Sequence, residues 1–243
     1  MSERYYLHPL GHRVPSVTTI TSQLDKSSAL IQWAVNCACD YLIYNLNNNE
    51  SLWQYPFEAG IDEENGACYI KKSHLFPLIE KARKEYKKIS QKALDIGSEV
   101  HKAIEEWLKT GKEPFNPSDQ VLSAFLAFLE WLDQWKSYKT IETEFTIYDP
   151  NGKYAGTCDW IVELDGRVYL IDFKSSSGIY PEYRYQVAAY RACDPDIEAC
   201  GVLRLNKETG YPQWKDTSDT YEQDLKVFNC LCDLWWARHP DFK

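Results

Sequence analysis

Two aspartates and a lysine lie on neighbouring strand-like segments of the sequence. Asp159 precedes the dipeptide Asp165-Gly166, and Asp172 and Lys174 follow it. Asp-Gly is favoured in two-residue hairpin turns because both turn positions need a positive φ. Pairing the two residues that flank this turn places Asp159 directly opposite Asp172. The sequence therefore predicts two facing carboxylates beside a lysine.

The same register separates apolar side chains from charged ones. One face of the hairpin is predicted to be wholly apolar and to carry Cys158, Trp160, Val162, Tyr169, Ile171 and Phe173. On the other face, carboxylates with β-carbons about 5 Å apart repel one another, so a cation is expected between them. Oxygen ligands suit magnesium or manganese, and Lys174 could orient a water or stabilise a pentacovalent phosphorus. The alternative is a surface cluster in which Lys174 only offsets the acids.

Together with residues further along the chain, these side chains resemble the RecB-like branch of the PD-(D/E)XK nucleases. The matching motifs are Gly97-x-x-x-His101, Gly156-x-x-Asp159, Asp172-x-Lys174 and Gln186-x-x-x-Tyr190. The segment 15–20 and Trp33 also look like the opening of phage and bacterial RecB-type exonucleases. The resemblance spans roughly residues 10 to 190, and it departs from the family at Cys158, where a proline is usual.

The resemblance implies a role for each matching residue. Asp159 and Asp172 would bind Mg²⁺ or Mn²⁺ together with the carbonyl of Phe173, Lys174 would be the catalytic lysine, and His101 would be a further metal ligand. Gln186 and Tyr190 would position the active site and the DNA strand. Glu144 would be the acidic residue of the first core strand, although Glu142 has the same parity.

Several of these residues have a structural alternative. His101 lies at the edge of an apolar helical stripe, where a capping or packing histidine is also expected. Gln186 and Tyr190 share a helix face, but Tyr190 could equally belong to the core. Ser16 could present its hydroxyl to a DNA phosphate at a helix start, and helix capping explains it at least as well.

Hydrophobic periodicity outlines the elements that must position these residues. Helices are predicted at 27–45, 73–96, 98–110, 118–136, 182–193 and 218–237, with Gly97 separating the second from the third. Strands are predicted at 141–147, 153–163, 167–174, 199–205 and 211–215. The expected fold class is α/β (α+β), with a PD-(D/E)XK restriction-endonuclease-like core, a mixed central sheet flanked by helices and a helical N-terminal half. One domain is expected over 1–243, divided into a mainly helical part (1–139), the sheet core (140–217) and a C-terminal helix (218–243).

Composition limits the function classes. The 243 residues carry a formal net charge of −9, which argues against a protein that coats nucleic acid through bulk charge. Six basic residues and one acid lie between Lys81 and Lys92, and a solvated helix face or a phosphate-facing stripe would explain them equally well. No apolar run of bilayer length and no signal peptide are visible, so a cytoplasmic protein, bacterial or phage-encoded, is expected.

The eight cysteines are read as reduced core thiols. Some RecB-like nucleases hold an iron–sulfur cluster, but Cys193, Cys200, Cys230 and Cys232 lack the tight C-x2-C spacing of such sites. Cys230 and Cys232 on one helix would point to different faces. We therefore expect neither an iron–sulfur cluster nor structural zinc.

These patterns favour a metal-dependent DNA nuclease, most simply an exonuclease of recombination, repair or phage DNA processing. Its partner would be DNA, as ends or single strands, and no association with a membrane is expected. The resemblance suggests a helicase or a recombinase as the kind of protein partner. One alternative is a catalytically inactive relative that binds DNA or protein. Another is a structural protein whose acidic hairpin face is only solvated.

Overall fold

The computed structural model describes residues 4–24, 26–48, 59–61, 68–70 and 72–242. Contacts divide the chain into two compact units, one formed by 1–24 with 96–243 and the other by 25–95. The sequence grouped the first 24 residues with the N-terminal helices, whereas the contacts place them with the sheet. Among the described residues, no helix is long and apolar enough to cross a membrane.

The unit formed by 25–95 contains mainly helix. Helix α2 is Ser27–Asn48 and helix α3 is Lys72–Thr110. The residues of α3 from Ile96 onwards belong to the other unit. Strands β3 (Ala59–Ile61) and β4 (Cys68–Ile70) pair antiparallel. Trp33 of α2 contacts Tyr86 of α3 edge-on, with ring centroids 6.3 Å apart. The six basic residues between 81 and 92 are exposed, and two of them form local ion pairs with Glu80 and Glu85.

The other unit is built around a five-stranded sheet with the order β5-β6-β7-β8-β9. Its strands are β5 (Tyr138–Tyr148), β6 (Ala155–Leu164), β7 (Arg167–Lys174), β8 (Ala199–Leu205) and β9 (Pro212–Asp216). Only β7 and β8 run parallel among these neighbours, because helix α5 (Pro181–Arg191) carries the chain back between them. The structure thus has a mixed sheet flanked by helices and a mainly helical N-terminal half. This confirms the predicted α/β (α+β) fold class.

Two apolar layers cover the sheet. On one face, α3 from Ile96 onwards and helix α4 (Asp119–Leu132) pack on Trp160, Val162, Ile171 and Phe173. On the other face, helix α1 (Val17–Thr21), α5 and helix α6 (Tyr221–Arg238) pack on Ile161, Leu170 and Val202. The short hairpin of β1 (Tyr5–Leu7) and β2 (Arg13–Pro15) leads into α1. Because strand residues alternate between faces, the three central strands β6, β7 and β8 contribute side chains to both layers.

Two of the differences from the sequence prediction concern residues close to the matched motifs. Gly97 does not end a helix, since α3 continues unbroken from Lys72 to Thr110. A glycine costs a helix interior only about 1 kcal/mol, which the flanking helix formers and the tertiary packing offset. Cys158 belongs to the apolar cluster on the α5/α6 face rather than to the face of Trp160, so the predicted six-residue apolar face is wrong at this position.

Candidate active site

The candidate site lies where strands β6 and β7 separate. Their ladder runs from the Leu164–Arg167 pair to the Trp160–Ile171 pair, which confirms the predicted register. The next step would place Asp159 opposite Asp172, but no backbone pairing is found there. Instead, the backbone N–H of Phe173 donates a hydrogen bond of 2.7 Å to Oδ2 of Asp159. A carboxylate thus takes the place of a strand-to-strand hydrogen bond at the open end of the hairpin.

An irregular stretch of β5 faces this opening. The β5–β6 register shifts between Thr140 and Glu142, and the ladder pairs Thr143 with Trp160 and Phe145 with Cys158 while skipping the residues between them. The skipped residues are Glu144 and Asp159, and Glu144 has a φ of +49°. A non-glycine residue rarely adopts this left-handed conformation, and strain of this kind is concentrated at functional sites. The irregularity also explains Cys158, because strict alternation of side chains is lost along this part of the sheet.

Three potential metal ligands meet at this irregularity. One ligand atom each from His101, Glu144 and Asp159 lies within 4.8 Å of the other two. His101 comes from α3, and its Nδ1 is 3.3 Å from Oδ1 of Asp159. One imidazole and two carboxylates are donors that a divalent cation such as Mn²⁺ accepts. These residues therefore fit a metal ion, and the structure places Glu144 rather than Glu142 among them, although both glutamates are exposed.

Asp172 is not part of this group but lies directly beside it. Only 1% of the residue is exposed, and its Oδ1 accepts a hydrogen bond of 3.0 Å from Nε2 of Gln186. Its Oδ2 contacts the ammonium group of Lys174 and has no other hydrogen-bond partner in the described structure. Nε2 of Gln186 also donates to the hydroxyl of Tyr190, at 3.2 Å. Helix α5 thus holds Asp172 through an amide that is itself held by a buried tyrosine.

Lys174 is enclosed by the groups around it. Its Nζ contacts Asp172 and lies 5.0 Å from the ring centroid of Tyr183, a distance typical of a cation–π contact. Tyr183 precedes Gln186 by one helical turn on α5, so both side chains reach the same end of β7. The sequence reasoning missed Tyr183, although its spacing from Gln186 was a usable signal.

The shared environment drives the pKa values of the two aspartates apart. Burial raises the pKa of Asp172 to about 6, although the Lys174 ammonium group opposes this shift. Burial also disfavours the charged form of Asp159, but His101, Lys174 and the N–H of Phe173 together outweigh it and lower its pKa. Divergent pKa values in neighbouring acids are typical of sites that move protons.

The two basic groups shift in the direction that their acidic neighbours dictate. Burial lowers the pKa of Lys174, but the carboxylates of Asp172 and Asp159 outweigh this and raise it. The pKa of His101 is likewise lowered by burial and raised overall by Asp159. For Glu144, burial and the nearby Asp159 both raise the pKa. The group is a chain of alternating charges rather than a single ion pair.

Two glycines of the matched motifs allow close approach to this site. A β-carbon on Gly156 would lie 2.3 Å from Cε1 of Tyr190, so only glycine leaves room for the tyrosine that holds Gln186. A β-carbon on Gly97 would lie 3.1 Å from Oγ of Ser175, the residue after Lys174. The glycines thus let α3 and α5 approach the ends of β6 and β7.

Ser16 has a structural role. It is 2% exposed and caps α1, because its Oγ accepts a hydrogen bond of 2.9 Å from the N–H of Thr19. The hydroxyls of Thr18 and Thr19 also lie within hydrogen-bond distance of this oxygen. The structure therefore favours the capping alternative over a phosphate contact by Ser16.

The remaining predicted positions are placed as follows. The side chain of Asp159 lies in the opening between β6 and β7, where it contacts the N–H of Phe173 and His101 of α3. Asp172 and Lys174 instead contact Gln186 and Tyr183 of α5. The three side chains therefore do not all project from the same face of the hairpin. Cys230 is exposed and Cys232 is buried on α6, as their spacing predicted. The carbonyl of Phe173 as a metal ligand stays a prediction.

Comparisons with known proteins do not assign this chain to a family. No family model matches it, and no curated protein matches it. Among solved structures, one titled "Crystal structure of SSO0001" aligns with 55% of this chain and 74% of its own length, at 14% sequence identity and a TM-score of 0.27. Similarity at this level carries no argument about function.

Proposed function

We propose that this protein is a metal-dependent DNA nuclease of the RecB-like PD-(D/E)XK type, acting as an exonuclease. The observation that carries the proposal is the convergence of four separate motifs at the open end of one hairpin. His101, Asp159, Lys174 and Gln186 come from different elements, and each contacts another member of the group or the Asp172 that links them. Their identity and order are those of the family resemblance. A cytoplasmic setting, as the sequence suggests, belongs to the same proposal.

The residues around the opening divide the work of phosphodiester hydrolysis. His101, Glu144 and Asp159 would hold a divalent cation, with Asp172 as a neighbouring ligand. Such a cation supplies Lewis-acid polarisation of a phosphate oxygen and lowers the pKa of water. Lys174 is oriented by Asp172 and Tyr183 and would donate a hydrogen bond to a non-bridging phosphate oxygen, where negative charge develops. Gln186 and Tyr190 keep Asp172 in place.

Cleavage of labelled DNA tests the proposal directly. We expect Mn²⁺ or Mg²⁺ to support cleavage of a linear, end-labelled substrate, EDTA to stop it, and added metal to restore it. A circular substrate should resist cleavage if a free end is required. Metal and DNA binding without cleavage would instead identify an inactive relative, and failure to bind Mn²⁺ at millimolar concentration would reject both.

Two neighbouring glutamates on β5 provide a matched pair of variants for the metal group. We expect Glu144→Gln to weaken Mn²⁺ binding, measured by calorimetry, by about tenfold or more, the lower range for changes around a metal ligand set. Glu142→Gln removes the same charge from the same strand and should bind Mn²⁺ as the wild type does. Equal affinities of the two variants would exclude Glu144 from the metal site.

A further inference from the structure

The loop after Lys174 presents an aromatic ring to solvent beside the candidate site. Tyr180 is 41% exposed and immediately precedes α5. Its ring stands edge-on to that of Tyr183, with centroids 5.6 Å apart, and Tyr183 faces Nζ of Lys174. The exposed ring is therefore separated from the lysine ammonium group by one aromatic side chain.

Hydrogen bonds fix this loop in place. The hydroxyls of Tyr180 and Ser177 lie 2.7 Å apart, and Oγ of Ser176 donates to the carbonyl of Gly178 at 2.8 Å. Arg204, which pairs with Lys174 across β7 and β8, donates from Nε to the carbonyl of Ser176 at 2.7 Å. Because the Tyr180 hydroxyl is occupied within the protein, the ring is what this side chain offers to a ligand. A ring held in this way loses little conformational entropy on binding.

A nucleic-acid base is the ligand whose chemistry fits such a ring next to a phosphate site. Stacking of a base on an aromatic side chain is worth about 1–3 kcal/mol and requires a base that is not already stacked within a duplex. The guanidinium group of Arg204 adds positive charge beneath the same loop in an otherwise acidic protein. A polyanionic single strand would therefore meet a ring and a cation together.

We propose that Tyr180 and Tyr183 form a stacking surface for an unpaired base next to the phosphate at Lys174, so that the site takes single-stranded nucleic acid. This inference rests on the proposed function and adds the substrate class to it. The alternative is that Tyr180 serves only to start α5. That role predicts no preference for a strand that carries bases over one that carries only phosphates.

Binding of two strands of equal length and charge separates these roles. Fluorescence anisotropy in EDTA, where cleavage is blocked, would compare a labelled oligothymidylate with an abasic strand. We expect the wild type to bind oligothymidylate more tightly. Tyr180→Leu should weaken that binding about fivefold or more, the lower range for one stacked base, and leave binding of the abasic strand unchanged.

Two control variants complete the design. Tyr180→Phe keeps the ring and should retain the preference for oligothymidylate. Tyr138→Leu removes a tyrosine of similar exposure, 46%, which pairs with Leu164 at the end of the β5–β6 ladder, whereas Asp159 lies in the middle of that ladder; this variant should bind as the wild type does. Thermal unfolding of each variant would verify that the fold is retained.

The outcomes distinguish the inference from the function on which it rests. If Tyr180→Leu weakens binding of both strands equally, or of neither, the stacking surface is rejected while metal-dependent cleavage by the wild type still supports the nuclease. If the wild type neither binds oligothymidylate nor cleaves DNA with Mn²⁺, the proposed function fails and the inference fails with it.

Discussion

Asp172 and Asp224 are both buried aspartates that contact a cation, but their oxygens are used differently. Each is 1% exposed. At Asp224 on α6, Arg184 donates through Nε at 3.1 Å and through a terminal nitrogen at 2.6 Å, and the Thr220 hydroxyl donates at 2.6 Å. Both carboxylate oxygens are therefore satisfied by a two-pronged partner, which is the geometry of a strong structural ion pair.

At Asp172 the bonding is incomplete. One oxygen accepts from the Gln186 amide, whereas the other contacts only the single ammonium group of Lys174. A buried polar atom without its full set of hydrogen bonds needs an explanation. The comparison suggests one: the pair that joins two helices uses all its bonding capacity, and the pair at the hairpin opening keeps some for a ligand.

Neutralising the Asp172 pair should produce the largest effect. We expect Lys174→Met to reduce metal-dependent cleavage, measured as a single-turnover rate, by about 100- to 10,000-fold, the range for a lost proton-transfer or electrostatic contact. Adding Asp172→Asn removes the second buried charge, so the free energy of unfolding should stay unchanged or rise, because neutral replacement of a buried pair is often stabilising. A clearly destabilised double variant would class this pair with the structural one.

Breaking the Asp224 pair should have the opposite consequence. Asp224→Ala leaves the Arg184 guanidinium without its partner, and we expect a loss of about 3 kcal/mol in the free energy of unfolding, measured with urea. Asp219→Ala removes an exposed acid from the preceding turn and should change the free energy by less than about 0.5 kcal/mol. If the two variants lost the same free energy of unfolding, the buried ion pair would contribute no more to stability than an exposed acid does.

The support behind Asp172 can be tested through Gly156. Gly156→Ala forces a β-carbon against the Tyr190 ring. We expect this overpacking to lower the free energy of unfolding by about 1–3 kcal/mol. We also expect the cleavage rate to fall, because the displaced Tyr190 no longer holds Gln186. Gly178→Ala is the control, because its β-carbon would meet nothing closer than 3.9 Å. If Gly156→Ala unfolds at the wild-type temperature, Tyr190 can move freely and does not hold Gln186.

The smallest effect is expected at the edge of the Asp224 network. Thr220→Val removes the hydroxyl that donates to Asp224. We expect it to lower the free energy of unfolding, measured with urea, by about 1 kcal/mol. The nearby Ser218 hydroxyl is buried without a hydrogen-bond partner in the described structure, so Ser218→Ala should cost nothing. A larger loss for Ser218→Ala than for Thr220→Val would contradict the hydrogen-bond assignment.

Sequence patterns predicted the register of the β6–β7 hairpin because one dipeptide, Asp165-Gly166, determines the turn and alternation determines the faces. They also predicted β7 and β8 to the residue. The same alternation failed at Cys158, because alternation assumes a regular strand, whereas the β5–β6 ladder is interrupted directly beside this residue. Local patterns contain no information about such a distortion.

Other features of the site depend on contacts between distant segments. Gly97 resembled a helix end in sequence, but its role is the space it leaves for Ser175. Tyr183 and Tyr180 could be recognised as helix and loop residues, whereas their position beside Lys174 requires the crossover of α5 between β7 and β8. The choice between Glu144 and Glu142 likewise depends on a backbone angle that no spacing rule reports.

The left-handed backbone of Glu144 bears on how such a protein could evolve. Glycine adopts this conformation without the steric penalty that a side chain incurs, so Glu144→Gly would relieve strain while it removes a metal ligand. Selection for stability alone would therefore favour the loss of this carboxylate. Its persistence in a sequence would be a mark of continued selection for activity, and descendants that have turned to binding alone should be the ones that carry glycine there.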